Sequence, residues 1–585
     1  MTHSDSIFMQ DAISLVDKGT ARKHVPADFS ITTWEALKPM FDRLEALEVD
    51  TPEQLEAFLA MRNELESVVE EEFAWRYIRM TCDTTDADRQ AAYQDFLENI
   101  LPNVSEIDDS LNRKMAESPF FEALPDEPYL TFRRGILQRI QLFRAENIPL
   151  TTEEMTLARE HGTRQGAMTV THNGQTLTLQ QAGRLLEERD RSLRFEVWEK
   201  IQKRRLEDLQ PLDDLLDKLI SLRGQIAQNA GYSGYTQFKF DDLGRFDYTP
   251  EDVAQFHTAV EVAVKPVYQR LLEIRRQRLG VDRLRPWDLA VDMFGDQPLH
   301  PFKDAAELTA HGIAALRALK PELGDMLALM DREGFLDLDS RVGKAPGGYN
   351  YPLMESGVPF IFMNAAGTHN DVITLFHEAG HAIHSFVTRS IPLNALKSTP
   401  AEVAELASMS MELLTLDQYG HFYPEAEDLK RAQMTQLEHC ITGLPWIATV
   451  DAFQQWMYNH PGHTQEERRA AWVQLYYRFH GDLIDWSGYE QALENMWQRQ
   501  LHIYEVPFYY IEYGIAQLGA LAVWKNYRED PVSGLNQYLH ALSLGYKKPI
   551  GGIYEAAGIR LDFDANYIRE SVEYCYSEFE RLLNS

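Results

Sequence analysis

The chain has 585 residues, of which 44% are apolar and 25% are charged, and its 57 basic and 90 acidic side chains give a formal net charge of −33. Because so acidic a chain repels phosphate backbones and anionic lipids, the composition argues against nucleic acid and membrane surfaces as partners. The three cysteines, Cys82, Cys440 and Cys575, show no C-x-x-C spacing, which argues against a disulfide framework and indicates a reducing compartment.

The first residues of the sequence carry neither the basic segment nor the long apolar segment of a secretion signal. No apolar run approaches the roughly 18 residues that a membrane span needs. We therefore expect a cytoplasmic protein without membrane attachment, and nothing in the sequence sets its oligomeric state. The length predicts two or three domains or one large helical body.

Amphipathic helical patterns follow one another from about residue 33 to 145, for example over 52–80, 85–100 and 105–117. The helical period stops near Pro149. This first part of the chain is therefore predicted to be a helical body whose many charges lie on solvated helix faces.

Residues 168–179 alternate in polarity, are rich in threonine and contain a central Asn-Gly pair, which predicts a β-hairpin. A helical pattern resumes over 180–203. We place a domain boundary near residue 200. It divides the chain into an N-terminal helical domain, 1–200, which includes the hairpin, and a catalytic domain, 201–585.

Two strand-like segments lie further along the chain. Gly347, Gly348 and Tyr349 open a flexible aromatic stretch, and residues 359–364 predict a short strand. We expect this strand at the edge of a sheet, where a peptide can bind as an additional strand through main-chain hydrogen bonds. The alternative is an ordinary buried strand with partners on both sides.

Residues 377–381 read H-E-x-x-H within an apolar helical pattern. Two histidines four residues apart, His377 and His381, lie on the same face of a helix, so their imidazoles can converge on one zinc ion. Glu378 lies beside them and can accept a proton from water at the metal. The pentapeptide therefore supplies two ligands and a base for hydrolysis.

A catalytic zinc ion needs a third protein ligand. The metzincin pattern would place a histidine at position 387, which is a valine, so a glutamate of the following helical segment is the alternative. Glu405 is the predicted ligand, because a carboxylate in so apolar a stretch is costly unless it is paired or metal-bound. We interpret Glu402 instead as part of a capping box that starts at Thr399.

Other ionisable residues surround this set. Glu412 lies on the same helix face as Glu405 and is predicted to orient a ligand histidine, the alternative being a solvated helix charge. His384 lies on the same helix face as His377 and is predicted to be a packed histidine that contacts a metal ligand instead of the metal. Acting as a fourth ligand, it would close the site to water.

The segment 502–513 is unusually rich in phenols, and it contains His502 and three closely spaced tyrosines, Tyr509, Tyr510 and Tyr513. Tyr510 and Tyr513 share a helix face, and phenols can donate hydrogen bonds to a developing oxyanion. Taken alone, such a cluster is more typical of a protein core. The zinc motif is what favours the catalytic interpretation.

The chain resembles the oligoendopeptidase F and thimet oligopeptidase family of zinc metallopeptidases, and it is most similar to the bacterial oligoendopeptidase branch. The resemblance extends over about residues 170–520. Its specific parts are the H-E-x-x-H pentapeptide with Gly380 before the second histidine, the segment 405–408, the loop 347–349, Asn364 with Gly367, and His502 with the tyrosines.

This resemblance implies a mainly α fold, a large helical clamshell with two lobes around a deep channel and small β elements near the active site. Such a channel admits short unfolded peptides and excludes folded proteins. By the same resemblance, one zinc ion per chain is held by His377, His381 and Glu405, with Glu378 as the general base.

The resemblance also implies residues that contact the substrate. His502 and a neighbouring tyrosine would contact the substrate carbonyl in the transition state, with Tyr513 as the first candidate and Tyr510 as the second. Tyr509 and the loop 347–349, which comprises Gly347, Gly348 and Tyr349, are expected to bind substrate.

The predicted function is therefore that of a zinc-dependent endopeptidase, in which metal-activated water and a glutamate base hydrolyse short unfolded peptides. One alternative is a zinc carboxypeptidase or dipeptidyl carboxypeptidase of similar helical fold. Such an enzyme needs a cation, for which Arg389 and Lys397 are candidates, to hold the C-terminal carboxylate of its substrate. The other alternative is a non-catalytic peptide-binding protein.

Overall fold

Helices make up 71% of the protein in the computed structural model, which describes residues 22–295, 297–341 and 343–585. The strands in these residues are five and short. The predicted mainly α fold class is thereby confirmed. No helix in the described part of the chain combines the length and the apolar character needed to cross a lipid bilayer.

The chain divides into two compact units, and each unit is built from three separate stretches of sequence. The first unit contains the chain up to Ala145, His300–Pro424 and Ala522–Leu561. The second unit contains Glu146–Leu299, Glu425–Leu521 and the stretch from Asp562 onwards. The predicted boundary near residue 200 refers to domains that fold independently. A division into compact units does not define such domains, so the boundary stays a prediction.

The first unit consists mainly of helices, the longest of which is Pro52–Cys82. Its described α-helices are Trp34–Ala46, Pro52–Cys82, Ala87–Asp95, Leu101–Glu117, Pro119–Glu122, Asp126–Leu142, Ala305–Leu319, Pro321–Glu333, His369–Thr388, Asn394–Lys397, Ala401–Leu414, Pro531–Ser543 and Ile550–Ala556.

The second unit is organised around the longest helix, Ala426–Asn459. Its other described α-helices are Asn147–Gly166, Leu179–Arg184, Arg191–Glu207, Leu209–Asn229, Tyr235–Asp242, Pro250–Ala259, Lys265–Leu279, Gln465–His480, Glu490–Glu494, Leu501–Glu505 and Ala565–Leu583. One further helix, Tyr510–Glu529, begins in this unit and ends in the first.

Local side chains determine where many of these helices start. Thr51 accepts a hydrogen bond from the amide of Gln54, and Pro52 follows at the first helical position, where its missing N–H costs nothing. The helical pattern over 180–203 corresponds to two α-helices, Leu179–Arg184 and Arg191–Glu207. Asp190 caps the second of them by accepting hydrogen bonds from two backbone amides, and this capping begins a new helix.

The hairpin consists of β1, Thr169–His172, and β2, Gln175–Thr178, which pair antiparallel. Asn173 and Gly174 connect them with φ angles of 49° and 78°. Two consecutive left-handed residues match the right-handed twist of paired strands, which explains the Asn-Gly sequence at this turn.

A three-stranded sheet lies in the first unit, with β3, Leu336–Asp339, and β4, Tyr349–Tyr351, on either side of β5, Phe360–Ala365. β3 is parallel to β5, and β4 is antiparallel to it. The expectation that residues 359–364 form an edge strand is therefore wrong, because β5 has hydrogen-bonded partners on both sides. The strands at the two edges are β3 and β4.

This sheet fixes the start of the helix that carries the H-E-x-x-H motif. Phe360 and Phe362 of β5 are buried against Ala74 and Ile78 of helix Pro52–Cys82. The chain leaves β5 and enters helix His369–Thr388 after three residues. The sheet and helix Pro52–Cys82 together therefore anchor the N-terminal end of helix His369–Thr388.

Candidate active site

The H-E-x-x-H motif lies in the middle of helix His369–Thr388, which we call the motif helix. Thr368 and Asp371 form a complete capping box at its start. Because residues four apart share a helix face, His377 and His381 point in the same direction, and their ring centroids are 4.9 Å apart.

The motif helix packs closely on helix Ala401–Leu414, which we call the glutamate helix. A Cβ atom on Gly380 would lie 2.6 Å from the carbonyl oxygen of Ala407 and 2.6 Å from Cα of Ser408. No side chain fits between two backbones at that distance, so only glycine permits this packing. Gly380 therefore sets the separation between the histidines and the glutamates.

Three side chains converge where the two helices meet. The ligand atoms of His377, His381 and Glu405 all lie within 4.8 Å of one another. Oε2 of Glu405 is 3.3 Å from Nε2 of His377 and 3.8 Å from Nε2 of His381. The structure thus brings together the three residues that the sequence predicted as a ligand set.

This arrangement fits a zinc ion. In a tetrahedral site with bonds of about 2.0–2.1 Å, neighbouring ligand atoms are roughly 3.3–3.4 Å apart, which is close to the observed separations. Two imidazole nitrogens and one carboxylate also form a donor set typical of catalytic zinc, with a fourth position left for water or substrate.

Ser408 holds the carboxylate of Glu405 in place, because its hydroxyl donates a hydrogen bond of 3.0 Å to Oε2 of Glu405. That is the same oxygen that faces both histidines. Ser408 is fully buried. No role of Ser408 was predicted from the sequence, although its i, i+3 spacing from Glu405 could have indicated the contact.

Glu402 does not have the role that the sequence analysis gave it. The glutamate helix begins at Ala401, and Pro400 is its N-cap without any side-chain cap hydrogen bond. The capping-box interpretation is therefore wrong, because Pro400, with a ψ angle of 151°, precedes the helix instead of opening it. Glu402 is buried, and its carbonyl accepts a hydrogen bond from the hydroxyl of Tyr554.

Glu412 and His384 lie at different places around the three side chains. Oε1 of Glu412 is 2.7 Å from Nδ1 of His377, so this carboxylate fixes the imidazole from the side opposite Nε2. His384 is buried and lies outside the group of three, and its Nε2 has no hydrogen-bond partner among the described residues. His369 starts the motif helix, where Nδ1 lies 2.7 Å from the hydroxyl of Tyr423.

The two motif histidines differ in their electrostatic surroundings. Burial would lower the pKa of His377, but its contacts with Glu405 and Glu412 raise that pKa well above the ordinary histidine value. Burial lowers the pKa of His381 to about 4, because Glu405 compensates it less. Neutral imidazole is the form that binds a metal, so His381 is ready to coordinate at neutral pH.

Glu378 is 5% exposed, and within the described part of the chain its Oε2 has no hydrogen-bond partner. Burial raises its pKa to about 7, with the charge of His377 acting in the opposite direction. A carboxylate whose pKa lies near the working pH is suited to accept and return a proton.

The loop before β4 lies next to Glu378. An added Cβ on Gly348 would be 3.6 Å from Oε1 of Glu378. Asn364 holds the loop by donating hydrogen bonds to the carbonyls of Ala345 and Gly347, and Gly347 has a φ angle of 98° that favours glycine. The predicted loop residues therefore adjoin the predicted base.

Tyr349 follows in β4, but its ring is turned into the protein interior. Its hydroxyl lies 2.6 Å from Oγ1 of Thr81, and its ring stacks on Phe362 at a centroid distance of 4.7 Å. Only the main chain of Tyr349 is therefore well suited to contact a peptide.

The predicted oxyanion donors form an aromatic cluster in the second unit. The ring of His502 lies 4.9 Å from that of Tyr510, 5.7 Å from that of Tyr513 and 6.0 Å from that of Tyr509. The hydroxyl of Tyr513 is 3.5 Å from Nε2 of His502, whereas the hydroxyl of Tyr510 accepts a hydrogen bond from Trp446. The structure brings all four predicted residues together.

Comparison with known families identifies the chain. The sequence model of peptidase family M3 matches residues 184–573, which is more than half of the chain, and that of the peptidase M3 N-terminal domain matches residues 26–143. This chain belongs to peptidase family M3. The first match includes the motif helix, the glutamate helix and the aromatic cluster of this M3 protein.

Curated relatives of this M3 protein carry related names. Oligopeptidase PepF of Bacillus subtilis is 26% identical over 338 residues, which are 54% of this chain and 46% of the relative. The oligoendopeptidase F homolog of Mycoplasma pneumoniae is 25% identical over 395 residues, which are 62% of this chain and 61% of that one. The chain thus spans about half to three fifths of the length of these curated relatives.

Solved structures match over a larger share of the M3 chain. PZ peptidase A, solved with an inhibitor, has a TM-score of 0.90 and 28% identity over 96% of this chain and 99% of that one. Oligoendopeptidase-F from Enterococcus faecium has a TM-score of 0.62 and 17% identity over 99% of both chains, which supports the fold alone.

The close packing at Gly380 can be tested by the Gly380→Ala substitution. The added methyl group has to push the two helix backbones apart, so we expect a loss of about 1–3 kcal/mol in the free energy of unfolding, measured by denaturant titration.

Gly443→Ala is the matched control, because Gly443 also lies within a helix but has no atom within 4 Å of an added Cβ. That variant should gain roughly 0.5–1 kcal/mol, as alanine favours helix over glycine. Equal stability of the two variants would contradict the close approach.

Proposed function

We propose that this protein is a zinc-dependent endopeptidase that hydrolyses short unfolded peptides. The observation that carries the proposal is the convergence of His377, His381 and Glu405 beside Glu378, a buried carboxylate with a pKa near 7. Membership of peptidase family M3 and the names of the relatives support it.

In this proposal His377, His381 and Glu405 hold the ion. Zinc in such a site supplies a Lewis acid, which polarises the substrate carbonyl and makes water a nucleophile at neutral pH. Glu412 keeps Nδ1 of His377 hydrogen bonded, so Nε2 stays directed at the ligand position. The hydroxyl of Ser408 likewise donates a hydrogen bond to Oε2 of Glu405 and keeps that carboxylate directed at the ligand position.

Glu378 is the proposed general base. It accepts a proton from the attacking water and passes that proton to the leaving amine, so the carboxylate returns to its initial state. The unpartnered oxygen of Glu378 and the small residue Gly348 next to it leave space for these transfers.

The aromatic cluster is proposed to serve the transition state. As the carbonyl carbon becomes tetrahedral, its oxygen gains negative charge, which a phenolic hydroxyl stabilises by donating a hydrogen bond. Tyr513 is the first candidate, as the resemblance implies, followed by Tyr510 and then Tyr509. The hydroxyl of Tyr510 accepts a hydrogen bond from Trp446 and keeps its own proton to donate. His502 would orient the chosen tyrosine and contact the substrate.

The edge strand β4 offers a binding mode for the peptide itself. Strands at the edge of a sheet pair with extended peptides through main-chain groups, which makes binding tolerant of sequence. β4 also contacts the motif helix, since the side-chain amide of Asn350 lies 3.4 Å from the carbonyl of Glu378. We propose that substrate pairs with β4 through main-chain atoms of Tyr349 and its neighbours.

Glu378→Gln should lower turnover of a quenched peptide by at least about a hundredfold, since loss of a general base costs 10²–10⁴-fold. Zinc content, measured by elemental analysis, should stay at one ion per chain. Full turnover with zinc bound would show that another group is the base.

Glu405→Gln should strongly reduce bound zinc after dialysis, because one of three protein ligands is weakened. Glu402→Gln, three residues away on the same helix and equally buried, should retain it. The reverse result, with zinc lost only from Glu402→Gln, would move the ligand role to Glu402.

Tyr513→Phe should reduce kcat by about a hundredfold, because that is the cost of losing one oxyanion donor. The zinc content should change little. Tyr510→Phe and Tyr509→Phe, made in the same cluster, should have smaller effects. If Tyr510→Phe is the slow variant and Tyr513→Phe is silent, Tyr510 is the donor.

A peptide blocked at both ends separates the proposed endopeptidase from the carboxypeptidase alternative. An endopeptidase cleaves such a substrate, and a carboxypeptidase or dipeptidyl carboxypeptidase does not. Of the two cations considered for the alternative, Arg389 donates to the carbonyl of Ser356, and Lys397 donates to the side chain of Asn394.

A further inference from the structure

Two arginines of the second unit, Arg205 and Arg499, have no acidic partner, unlike most other arginines of this acidic protein. Within the described residues, neither guanidinium makes a hydrogen bond or an ion pair, and the Nε atom of Arg205 is buried without a partner. The acids at the end of the same helix do not compensate Arg205, because Glu207 and Asp208 both pair with Arg204.

The two arginines are close to each other. Arg205 lies near the end of helix Arg191–Glu207, and the side-chain amide of Gln498, next to Arg499, donates a 3.1 Å hydrogen bond to the carbonyl of Leu209. Burial and the neighbouring charge of Arg499 together lower the pKa of Arg205 to about 9. Among the described residues, no carboxylate acts on the pKa of either arginine.

An aromatic ring fixes one side of this arginine pair. The guanidinium carbon of Arg499 lies 4.8 Å from the ring centre of Trp446, a distance at which a cation and an aromatic ring attract. Stacking leaves the edge of the guanidinium, with its N–H groups, available for hydrogen bonds. The ring of Trp446 therefore stabilises the charge of Arg499 in part and leaves that of Arg205 unaffected.

The arginine pair adjoins the aromatic cluster that contains His502. The indole N–H of Trp446 donates to the side-chain oxygen of Gln500, at 3.2 Å, and to the hydroxyl of Tyr510, at 3.1 Å. The amide nitrogen of Gln500 is in turn 2.8 Å from Nδ1 of His502. A continuous set of hydrogen bonds thus links the ring under Arg499 to residues proposed to contact substrate.

Arg205 is half-buried and Arg499 is exposed. A half-buried positive charge beside a second one is costly without a counter-charge, and an anion that binds both groups lowers that cost. Guanidinium groups bind carboxylates through paired, charge-assisted hydrogen bonds, which are stronger than neutral ones. In a protein with 33 more acidic than basic residues, an arginine pair kept free of acidic neighbours is best explained by an external anionic ligand.

We propose that Arg205 and Arg499 form a carboxylate-binding subsite for the peptide substrate, with Trp446 as its aromatic wall. The proposal rests on the proposed peptidase function, because a peptide is the ligand that brings a carboxylate to the neighbourhood of His502. The carboxylate is supplied by the C-terminus of a short peptide or by an acidic side chain near it, and the two sources are distinguished below.

The test measures binding, so that it does not depend on hydrolysis. Calorimetry with the Glu378→Gln protein compares three N-acetylated heptapeptides of otherwise neutral sequence. One ends in a free carboxylate, the second ends in a carboxamide, and the third is a carboxamide whose last residue is glutamate. The free acid should bind at least about tenfold more tightly than the plain carboxamide, as a charge-assisted pair is worth that factor.

Removing the arginines should remove this preference. With Arg499→Gln or Arg205→Gln added, the free acid and the carboxamide should bind within about twofold of each other. Arg278→Gln is the matched control, because Arg278 also stacks on an aromatic ring of the second unit, that of Phe294, and the tenfold preference should persist there. If thermal melting shows that Arg205→Gln unfolds, Arg205→Lys takes its place. Because lysine keeps the positive charge, the Arg205→Lys protein should retain part of the preference for the free acid.

The outcomes separate this proposal from the peptidase proposal. Equal binding of all three peptides to the Glu378→Gln protein, no binding of any peptide, or a preference that survives both arginine-to-glutamine substitutions would overturn the subsite, whether or not the unsubstituted protein hydrolyses peptides. Tight binding of the carboxamide with glutamate supports the subsite with a side-chain carboxylate as its source. Absence of turnover with the acid preference intact would overturn the peptidase proposal alone.

Discussion

The contact between Gly380 and the backbone of Ala407 and Ser408 is the constraint on which the candidate site depends. Metal ligands act together only when they are held to within a few tenths of an ångström, and here they come from two different helices. A side chain larger than hydrogen at position 380 would separate those helices by more than that tolerance. The glycine within H-E-x-x-H is therefore as much a structural requirement as the residues that carry chemistry.

Three glutamates near this contact have different environments, which suit them to different roles. Glu405 is held by Ser408 and faces both motif histidines, and Glu412 contacts the far nitrogen of His377. Both carboxylates are therefore held in place by polar neighbours. Glu378 is buried with one oxygen unpartnered, so its protonated and charged forms are close in free energy near neutral pH. Packing, and not residue type, distinguishes the roles we propose.

Sequence patterns predicted features that depend on neighbours along the chain. The helical period and the Asn-Gly turn report on backbone preferences within a few residues, and the structure has helices and a hairpin at those places. The spacing of His377 and His381 predicted that they share a helix face for the same reason.

Features that depend on distant segments were not accessible in this way. The position of β5 inside its sheet depends on β3 and β4, and a strand of its composition is equally compatible with an edge. The pairing of Arg204 with Glu207 and Asp208, which leaves Arg205 without an acid, depends on side-chain geometry at one helix end. Likewise, a capping box at Thr399 satisfied the local pattern, but Pro400 precedes the helix.

The alternation of the chain between its two compact units has a consequence for biosynthesis. Six successive stretches alternate between the units, so the chain passes from one to the other five times, and no single cut releases either unit whole. Two tyrosines from the last stretch of the first unit, Tyr538 and Tyr554, donate hydrogen bonds to carbonyls of Ala407 and Glu402 in the glutamate helix. A ribosome must therefore pass residue 554 before the glutamate helix gains both hydrogen bonds, and products that terminate before that residue would lack at least one of them.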